Sequence, residues 1–455
     1  MPTSRLPENP DALVVGAGTA GTTVARRIAQ AGLEVVLCER AAERDVGRKV
    51  CGNALSDDGL AALDELPERP RGPEIAGILD GGTLWLPGRR EHVRIPVGGI
   101  VLNRVVFGQR LLHDAARAGA VIVTRCTCAG WADRTRGSIA VRSHDGQLTE
   151  LKPRIVVDAS GYASVLTRGG GPTHPYAVSR ADVGIGYRRV VPLLEPLEEP
   201  TEGRVVLGPE GAGEGYGWVF PVSDRLANVG LGGPLASVGS GIRRAFDRFV
   251  ASERDLVPGG AIDQGAGMLP LRRPIPSLVG DGFLSVGDAA GQTSPLHGGG
   301  IAPSILAGAA AAETAVRALR SGDTSAASLW DYNVWYMRDA GARHAAHDML
   351  RRILYSLSDD DLAYLTVAFA RAGLMMGAVR HGGLRPPIRE ALGVAGRALR
   401  RPGLTASLIR AGRLVDRVSR LHRDYPTTPE RLDSWIGHAE YLNRALTKML
   451  PGGAR

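Results

Sequence analysis

Residues 11–25 read Asp11-Ala-Leu-Val-Val-Gly16-Ala-Gly18-Thr-Ala-Gly21-Thr-Thr-Val-Ala25, and this stretch decides the fold. An unbroken apolar run followed by glycines predicts a buried strand, a tight turn and a helix. Gly16, Gly18 and Gly21 stand at G-x-G-x-x-G spacing. The turn needs the first glycine, a pyrophosphate needs a bare backbone at the second, and helix–strand packing needs the third. The helix N-terminus adds free N–H groups and the positive end of its dipole. A second apolar strand over 34–38 ends at Glu39, placed to accept from a ribose hydroxyl. Together these predict a dinucleotide site on a Rossmann-type α/β domain.

Two later segments bear on which dinucleotide it is. Arg154-Ile-Val-Val-Asp158-Ala-Ser-Gly161 reads as a strand ending in an acid and a glycine, and Gly282-Phe-Leu-Ser-Val-Gly287-Asp288 as another. Pro295-Leu-His297-Gly298-Gly299-Gly300-Ile301 and an alanine-rich helix follow. This triple arrangement resembles the FAD-dependent oxidoreductases of the para-hydroxybenzoate hydroxylase class. The resemblance implies FAD as cofactor, held by Gly16, Gly18, Ala20, Gly21, Glu39, Arg40, Arg104, Cys128, Asp288, Gly299, Gly300 and Ile301. In that class the late Gly-Asp binds ribityl and phosphate groups, and the glycine run opens a helix at the pyrimidine ring. The dipole of a helix beginning near Ile301 would favour negative charge on reduced flavin. Cys128 falls, after a strand expected over 121–126, where a backbone contact to adenine is expected; Cys126 and Cys128 themselves read as a buried structural pair.

Aromatic residues make up only 5% of the chain, yet Tyr216, Trp218 and Phe220 stand on alternate positions before Pro221. Period two places all three on one face of a strand. Such a face walls an apolar pocket or forms a sandwich core. Earlier, Lys49-Val-Cys51-Gly52-Asn53-Ala54 follows the first nucleotide-binding unit. Lys-x-Cys-Gly here, combined with Tyr-x-Trp-x-Phe-Pro, resembles the geranylgeranyl reductase family. The resemblance covers about 11–330 and implies flavin-dependent saturation of prenyl C=C bonds. It makes Cys51 a residue touching substrate or flavin and the aromatic strand the wall of a prenyl tunnel. Many members carry a further glycine after Cys-Gly, where this chain has Asn53.

Isolated prenyl alkenes are electron-rich, so hydride addition to one carbon needs a proton delivered to the other in a water-poor site. Cys51 and Tyr216 are candidate donors, although a thiol near ~8.5 and a phenol near ~10 are reluctant ones. His297 titrates nearer neutrality but reads first as a loop residue. A hydroxylase, epoxidase or halogenase on the same fold is the competing enzyme reading, and a flavin-bearing lipid carrier the non-enzyme one. Halogenases carry Trp-x-Trp-x-Ile-Pro; Tyr216 and Phe220 depart from it.

The rest of the chain bounds partners. At 455 residues two or three coupled units are expected. We place a FAD-binding domain at 1–75, 97–175 and 276–325, an inserted antiparallel substrate sheet at 76–96 and 176–275, and a helical C-terminal region at 326–455. Hairpin turns are expected at Gly81-Gly82 or Pro87-Gly88, and a sheet edge at Gly230-Leu-Gly232-Gly233. The net charge of +8 raises nucleic acid as a partner, but no zinc-finger spacing, RNA-binding aromatic motif or basic arm accompanies it. Much of the positive charge falls late, from Arg380 through Arg400 and Arg401 to Arg410, Arg413, Arg417, Arg420 and Arg423, with Leu404, Leu408, Leu414, Val415, Val418 and Leu421 between at helical spacing. That pattern fits either a membrane-surface helix or a packed helix with a solvated face. Four cysteines suggest no disulfide framework, and residues 1–10 lack a signal-peptide core, so a cytoplasmic protein, at most resting on the inner membrane face, is expected. With no second nucleotide fold, electrons would come from transient NADPH or from a redox partner such as ferredoxin. His344 and His347, one turn apart, lack a companion ligand cluster and read as a satisfied pair, with no metal.

Overall fold

A computed structural model describes residues 6–450 except 87–91, 136, 169–172, 174, 175, 177, 209–213, 254, 255, 257–259, 372–376 and 378–400. The opening stretch folds as its pattern demands. Strand Ala12–Val15 lies fully buried at the centre of a six-stranded sheet, with Val35–Cys38 and Ile155–Asp158 parallel on its two sides. Val121–Val123 extends one edge in parallel; Phe283–Ser285 and the short antiparallel Val279–Gly280 extend the other. Helix Thr19–Gln30 packs between this sheet and the long helix Ile301–Ser321, sharing one apolar core with them. At the turn, Gly16 adopts φ +104, a conformation that side chains resist. A Cβ on Gly21 would lie 1.9 Å from Gly16 O, so strand and helix meet there backbone to backbone.

A second, seven-stranded sheet runs Asp263–Pro270, Val183–Pro192, Leu226–Pro234, Tyr216–Ser223, Glu202–Leu207, Gly81–Trp85, His92–Ile95. All its pairings are antiparallel except Glu202–Leu207 with Gly81–Trp85. Its outer face is covered by helix Ile242–Ser252, whose Phe246 and Phe249 join Tyr187, Val219 and Leu231 in a separate core. Two three-stranded sheets complete the β structure: Thr127–Asp133 with Ser138–Arg142 and Leu148–Leu151, and Gly99–Leu102 between Ala54–Ser56 and Ile75–Leu79. From Ala326 the chain is helical, through Ala326–Tyr336, a π-helical turn at Met337–Gly341, Ala342–Tyr355, Asp359–Arg371, Pro402–Arg423 and Leu432–Met449.

Three local expectations are corrected. Gly81 and Gly82 are not a turn: they lie within a strand opposite Glu202 and Gly203, and the neighbouring strand Ile75–Leu79 pairs with Gly99–Leu102 instead. Gly230, Gly232 and Gly233 lie in a central strand rather than at an edge, because Trp218 occupies the space over Gly230 that a Cβ would enter at 2.1 Å. The strand expected over 121–126 stops at Val123, since Arg125 takes φ +53 and its N–H donates to Ala41 O, turning the chain across the end of Val35–Cys38. The turn at Pro87-Gly88, the helix breaks at Gly382-Gly383 and Pro386-Pro387, and the arginines from Arg380 to Arg400 lie outside the described residues.

Candidate active site

Both glycine-initiated helices leave their first N–H groups without a side-chain cap, at Gly18 for Thr19–Gln30 and at Gly300 for Ile301–Ser321. No atom lies within 4 Å of where a Gly18 Cβ would stand, so the backbone there borders open space. Glu39 ends its strand against this turn, its carboxylate accepting from Ala17 N and Ala41 N at 2.8 Å each; Arg40 is exposed beside it. Ala20 is buried in the helix behind the turn. Asp158, by contrast, spends its carboxylate inside the fold, on the Ser160, Leu166 and Thr167 backbone N–H groups and two hydroxyls. Cys128 is buried in the apolar layer that also holds Cys38 and Cys126, and burial pushes its thiol up to about 11. Cys126 and Cys38 approach to 3.8 Å between sulfurs as free thiols.

Asp288 stands at the centre of the remaining site. Lys49 Nζ donates to its Oδ2 at 2.6 Å, and Thr293 Oγ1 bonds its Oδ1. Burial opposes ionisation of this carboxyl, but Lys49, Thr293 and Arg104 outweigh it and hold Asp288 below the ordinary carboxylate range. Arg104 opens helix Arg104–Arg117, within electrostatic reach of both Cys51 and Asp288. Its Nε and Nη1 are buried and have no partner. Burial lowers the guanidinium's pKa, against the pull of Cys51 and Asp288.

The Lys49–Asn53 loop is docked onto the seven-stranded sheet from several points. Asn228, itself fully buried, donates from Nδ2 to Cys51 O at 3.0 Å and accepts from Trp218 Nε1 at 3.1 Å. Arg188 bonds Asp263 at 2.7 Å and reaches Lys49 O at 3.4 Å. Val50 fills the groove over Gly265 and Gly267, and Gly52 lies so close to Phe220 that a Cβ would come within 2.7 Å. Cys51 Sγ, half-buried, accepts from Asn53 N at 3.3 Å. Asn53 takes φ +62, the left-handed region that glycine favours and asparagine enters most easily among side chains. The loop therefore keeps a glycine-type backbone without a glycine.

Tyr216, Trp218 and Phe220 do share one face, with ring centroids 6.0 and 6.4 Å apart along the strand. The opposite face packs on the helix, where Gly217 meets Phe249. Trp218 is 6% exposed and serves as the seat of the Cys51 loop, whereas Tyr216 and Phe220 keep open surface. Tyr216 Oη donates to His297 O at 2.8 Å, joining the sheet to the Pro295–Gly300 segment. Burial, with Tyr355 and Cys51 nearby, raises the Tyr216 phenol well above its ordinary value. His297 keeps exposed surface, and desolvation by the surrounding protein depresses its pKa to about 4. Its Nδ1 accepts from Gly299 N, which leaves the proton of a neutral ring on Nε2. His344 and His347 are buried and satisfied, by Tyr336 Oη at 2.8 Å and Ser294 Oγ at 2.9 Å; no group of potential metal ligands occurs among the described residues.

The residues fit a flavin dinucleotide. Open space at Gly18, two uncapped helix starts and the unpartnered atoms of Arg104 and Asn53 are features that a polar, anionic ligand would complete. Sequence reasoning missed Asn228 and Arg188. A polar residue at inward parity in an otherwise apolar strand was the available signal for Asn228; nothing in the sequence pairs Arg188 with a loop over a hundred residues earlier.

Comparison with known proteins places this arrangement. Residues 182–268, the greater part of the seven-stranded sheet, match the family described as the geranylgeranyl reductase catalytic domain. A digeranylgeranylglycerophospholipid reductase from Methanopyrus kandleri is 34% identical over 332 residues, spanning 71% of this chain and 84% of its own length. The chain belongs to the geranylgeranyl reductase family. A Sulfolobus acidocaldarius enzyme of the same name aligns at 28% identity over 97% of this chain and 98% of its own. Among solved structures, a geranylgeranyl bacteriochlorophyll reductase-like protein from Thermoplasma acidophilum superposes with TM-score 0.73 at 24% identity, covering 89% of this chain and 99% of that one. A myxobacterial chondrochloren halogenase shares the fold, with TM-score 0.63 and 19% identity over 86% of this chain and 97% of its own. As a family member the protein is a FAD-dependent oxidoreductase that saturates C=C bonds of geranylgeranyl-type chains. No described helix is long and apolar enough to cross a membrane.

Proposed function

We propose that this geranylgeranyl reductase acts on the chains of a glycerophospholipid, with the proton delivered from Cys51 Sγ. The observation that carries the reading is the docking of the Cys51 loop: the residue lies within electrostatic reach of Arg104 and Tyr216, and its loop is seated on the aromatic strand through Asn228, Trp218 and Phe220. Bound FAD supplies the hydride. Lys49, Thr293 and Arg104 keep Asp288 ionised, and the uncapped start of Ile301–Ser321 would offer N–H groups to negative charge on the cofactor. Asn228 fixes the Cys51 carbonyl and the Asn53 N–H donates to Sγ, so the thiol is held by bonds that leave its own proton available. Tyr216 and Phe220 line the path of the chain. Because the Tyr216 proton is given to His297 O, we assign that residue to holding the Pro295–Gly300 segment rather than to proton delivery.

The division into a FAD-binding domain, an inserted sheet and a helical C-terminal region is our assignment. Arg410, Arg413, Arg417 and Arg420 are all exposed on helix Pro402–Arg423 and, with Leu414 and Met449, line a groove of about 530 Å³. We assign this groove to contact with an anionic membrane surface, where each basic residue contributes about 1 kcal/mol, and NADPH or a reduced ferredoxin to electron supply. The test is anaerobic incubation of reduced enzyme with a digeranylgeranyl glycerophospholipid, followed by mass measurement. A gain of two hydrogens per reacted bond is expected. Oxygen incorporation that requires air would replace the reading with a monooxygenase, and tight binding without product would replace it with a carrier.

A further inference from the structure

Four residues carry buried, unpartnered side-chain nitrogen or oxygen among the described residues: Asn53, Arg104, Arg188 and Arg351. The first three ring the Lys49–Asn53 loop. Arg351 does not. It lies on helix Ala342–Tyr355, 5% exposed, with Nη2 on Asp348 Oδ1 at 2.8 Å and Nε left over. Arg273 Nη1 approaches the other oxygen of Asp348 at 3.9 Å. Arg352 bonds Thr447 and lies within electrostatic reach of Asp348, Arg273 and Arg351; Arg272 and Asp182 complete the group. Arg273, Arg351 and Arg352 stand against Asp348 and, farther off, Asp182, so positive charge is in excess among the described residues of this partly enclosed layer.

Buried charge persists when it is paired. Here the carboxylates among the described residues are outnumbered by Arg273, Arg351 and Arg352, and the surplus is guanidinium, whose planar fork matches phosphate oxygens. The location gives the surplus a purpose. The Arg351 guanidinium stands 5.5 Å from the centre of the Tyr355 ring, and Tyr355 in turn is close enough to Tyr216 to perturb its phenol. Phe220, Trp218, Tyr216, Tyr355 and Arg351 thus form a line that leads from the Cys51 loop to the arginines. Glu214, the other acid near Tyr355, is exposed and takes a hydrogen bond from Ser237.

We propose that Arg273, Arg351 and Arg352 bind the phosphate or diphosphate head of the prenyl substrate, anchoring it at the far end of the aromatic row from Cys51. This inference rests on the prenyl-reductase reading above and adds a head-group site to it. The same chemistry would also suit a phosphate of a nicotinamide dinucleotide, so the electron source has to be separated from the substrate.

The test uses dithionite-reduced holoenzyme, without nucleotide, and compares geranylgeranyl diphosphate with geranylgeraniol. In Arg273→Gln and Arg351→Lys, kcat/KM for the diphosphate is expected to fall at least tenfold more than kcat/KM for the alcohol, through KM. In wild-type enzyme, inorganic pyrophosphate should inhibit competitively against the diphosphate; this arm needs no variant and stands even if Arg351→Lys folds poorly. An unchanged diphosphate-to-alcohol preference in Arg273→Gln, or absence of pyrophosphate competition, overturns the site. A loss seen only when NADPH supplies the electrons overturns it in favour of a nucleotide site. Wild-type enzyme that turns over geranylgeraniol while failing these criteria refutes the head-group site alone, whereas no turnover of either substrate refutes the reductase reading and the site with it.

Discussion

The molecule holds two buried polar layers that differ in how they are satisfied. One surrounds the Lys49–Asn53 loop, where Asn53, Arg104 and Arg188 all retain unpartnered atoms. The other lies behind the flavin fold, where polar side chains answer one another. Gln292 joins Gly287 N to Tyr332, Asn333 joins Leu278 N to Ser277, His344 meets Tyr336, and His347 meets Ser294. Leaving a buried donor or acceptor unmade costs about 1–3 kcal/mol. We read the first layer as one that a bound ligand completes and the second as architecture. Substitutions should therefore separate: in the first layer they remove activity and spare stability, and in the second they do the reverse.

The largest expected effect is at Cys51. Cys51→Ala should lower alkene reduction by about 10²–10⁴-fold, the usual worth of a positioned proton donor, while binding flavin and melting as the parent does. Anaerobic product analysis beside a melting curve checks both halves. Full activity would remove the thiol from proton delivery, and a large fall in melting temperature would make it a packing residue.

Next comes a pH effect in the second layer. His422 is buried, bonds Val418 O through Nδ1 and lies in the field of Arg273; burial depresses its pKa to about 4. Unfolded, it titrates near 6.5, so between about pH 6.5 and 4 the unfolded chain binds a proton that the folded chain refuses. Its contribution is complete above about pH 6.5 and is lost as pH falls, by about 3 kcal/mol at the limit. Urea unfolding across that range should show a stability slope smaller by about one proton in His422→Leu. An unaltered slope would mean that the histidine accepts its proton inside the fold.

Asn333 tests the same layer without titration. Both ends of its amide are used, at 2.7 Å from Leu278 N and 2.9 Å to Ser277 Oγ, and the residue has no exposed surface. Asn333→Leu should cost about 2 kcal/mol in denaturant unfolding and leave flavin affinity within twofold. If flavin is lost instead, the division between the two layers fails.

The first layer was partly legible in the sequence and the second was not, for a physical reason. Gly16, Gly18, Gly21 and Gly300 mark places where backbone must be bare, and an aromatic run on alternate residues declares a shared face. Those constraints are local. Trp218 on Asn228, Asn228 on the Cys51 carbonyl and Lys49 on Asp288 link residues between 10 and 239 positions apart. Glycine in a strand signals close approach without saying of what, so the pattern at Gly230 reads as an edge where a tryptophan covers it in the sheet's interior. The His and Arg groups of the helical region stand at ordinary helical spacing, and only the packing of Ala342–Tyr355 against Pro402–Arg423 and the Arg273 segment brings their charges together.

The smallest expected effect sharpens the contrast most, because Asn53 belongs to the ligand-facing layer by its side chain and to the scaffold by its backbone. Its φ of +62 is what the loop requires, and its Oδ1 is buried without a partner. Asn53→Gly keeps the first property and deletes the second, so stability should change by under ~1 kcal/mol, and any loss should appear as weaker flavin binding. Asn53→Val removes both and forces a β-branched side chain into the left-handed region, at a cost of about 1–3 kcal/mol. Unfolding and flavin titration of the pair divide the outcomes. Equal flavin affinity in Asn53→Gly and the parent would make the asparagine a backbone device alone, and the site would then reach its ligand through Arg104 and the glycine backbone without Asn53.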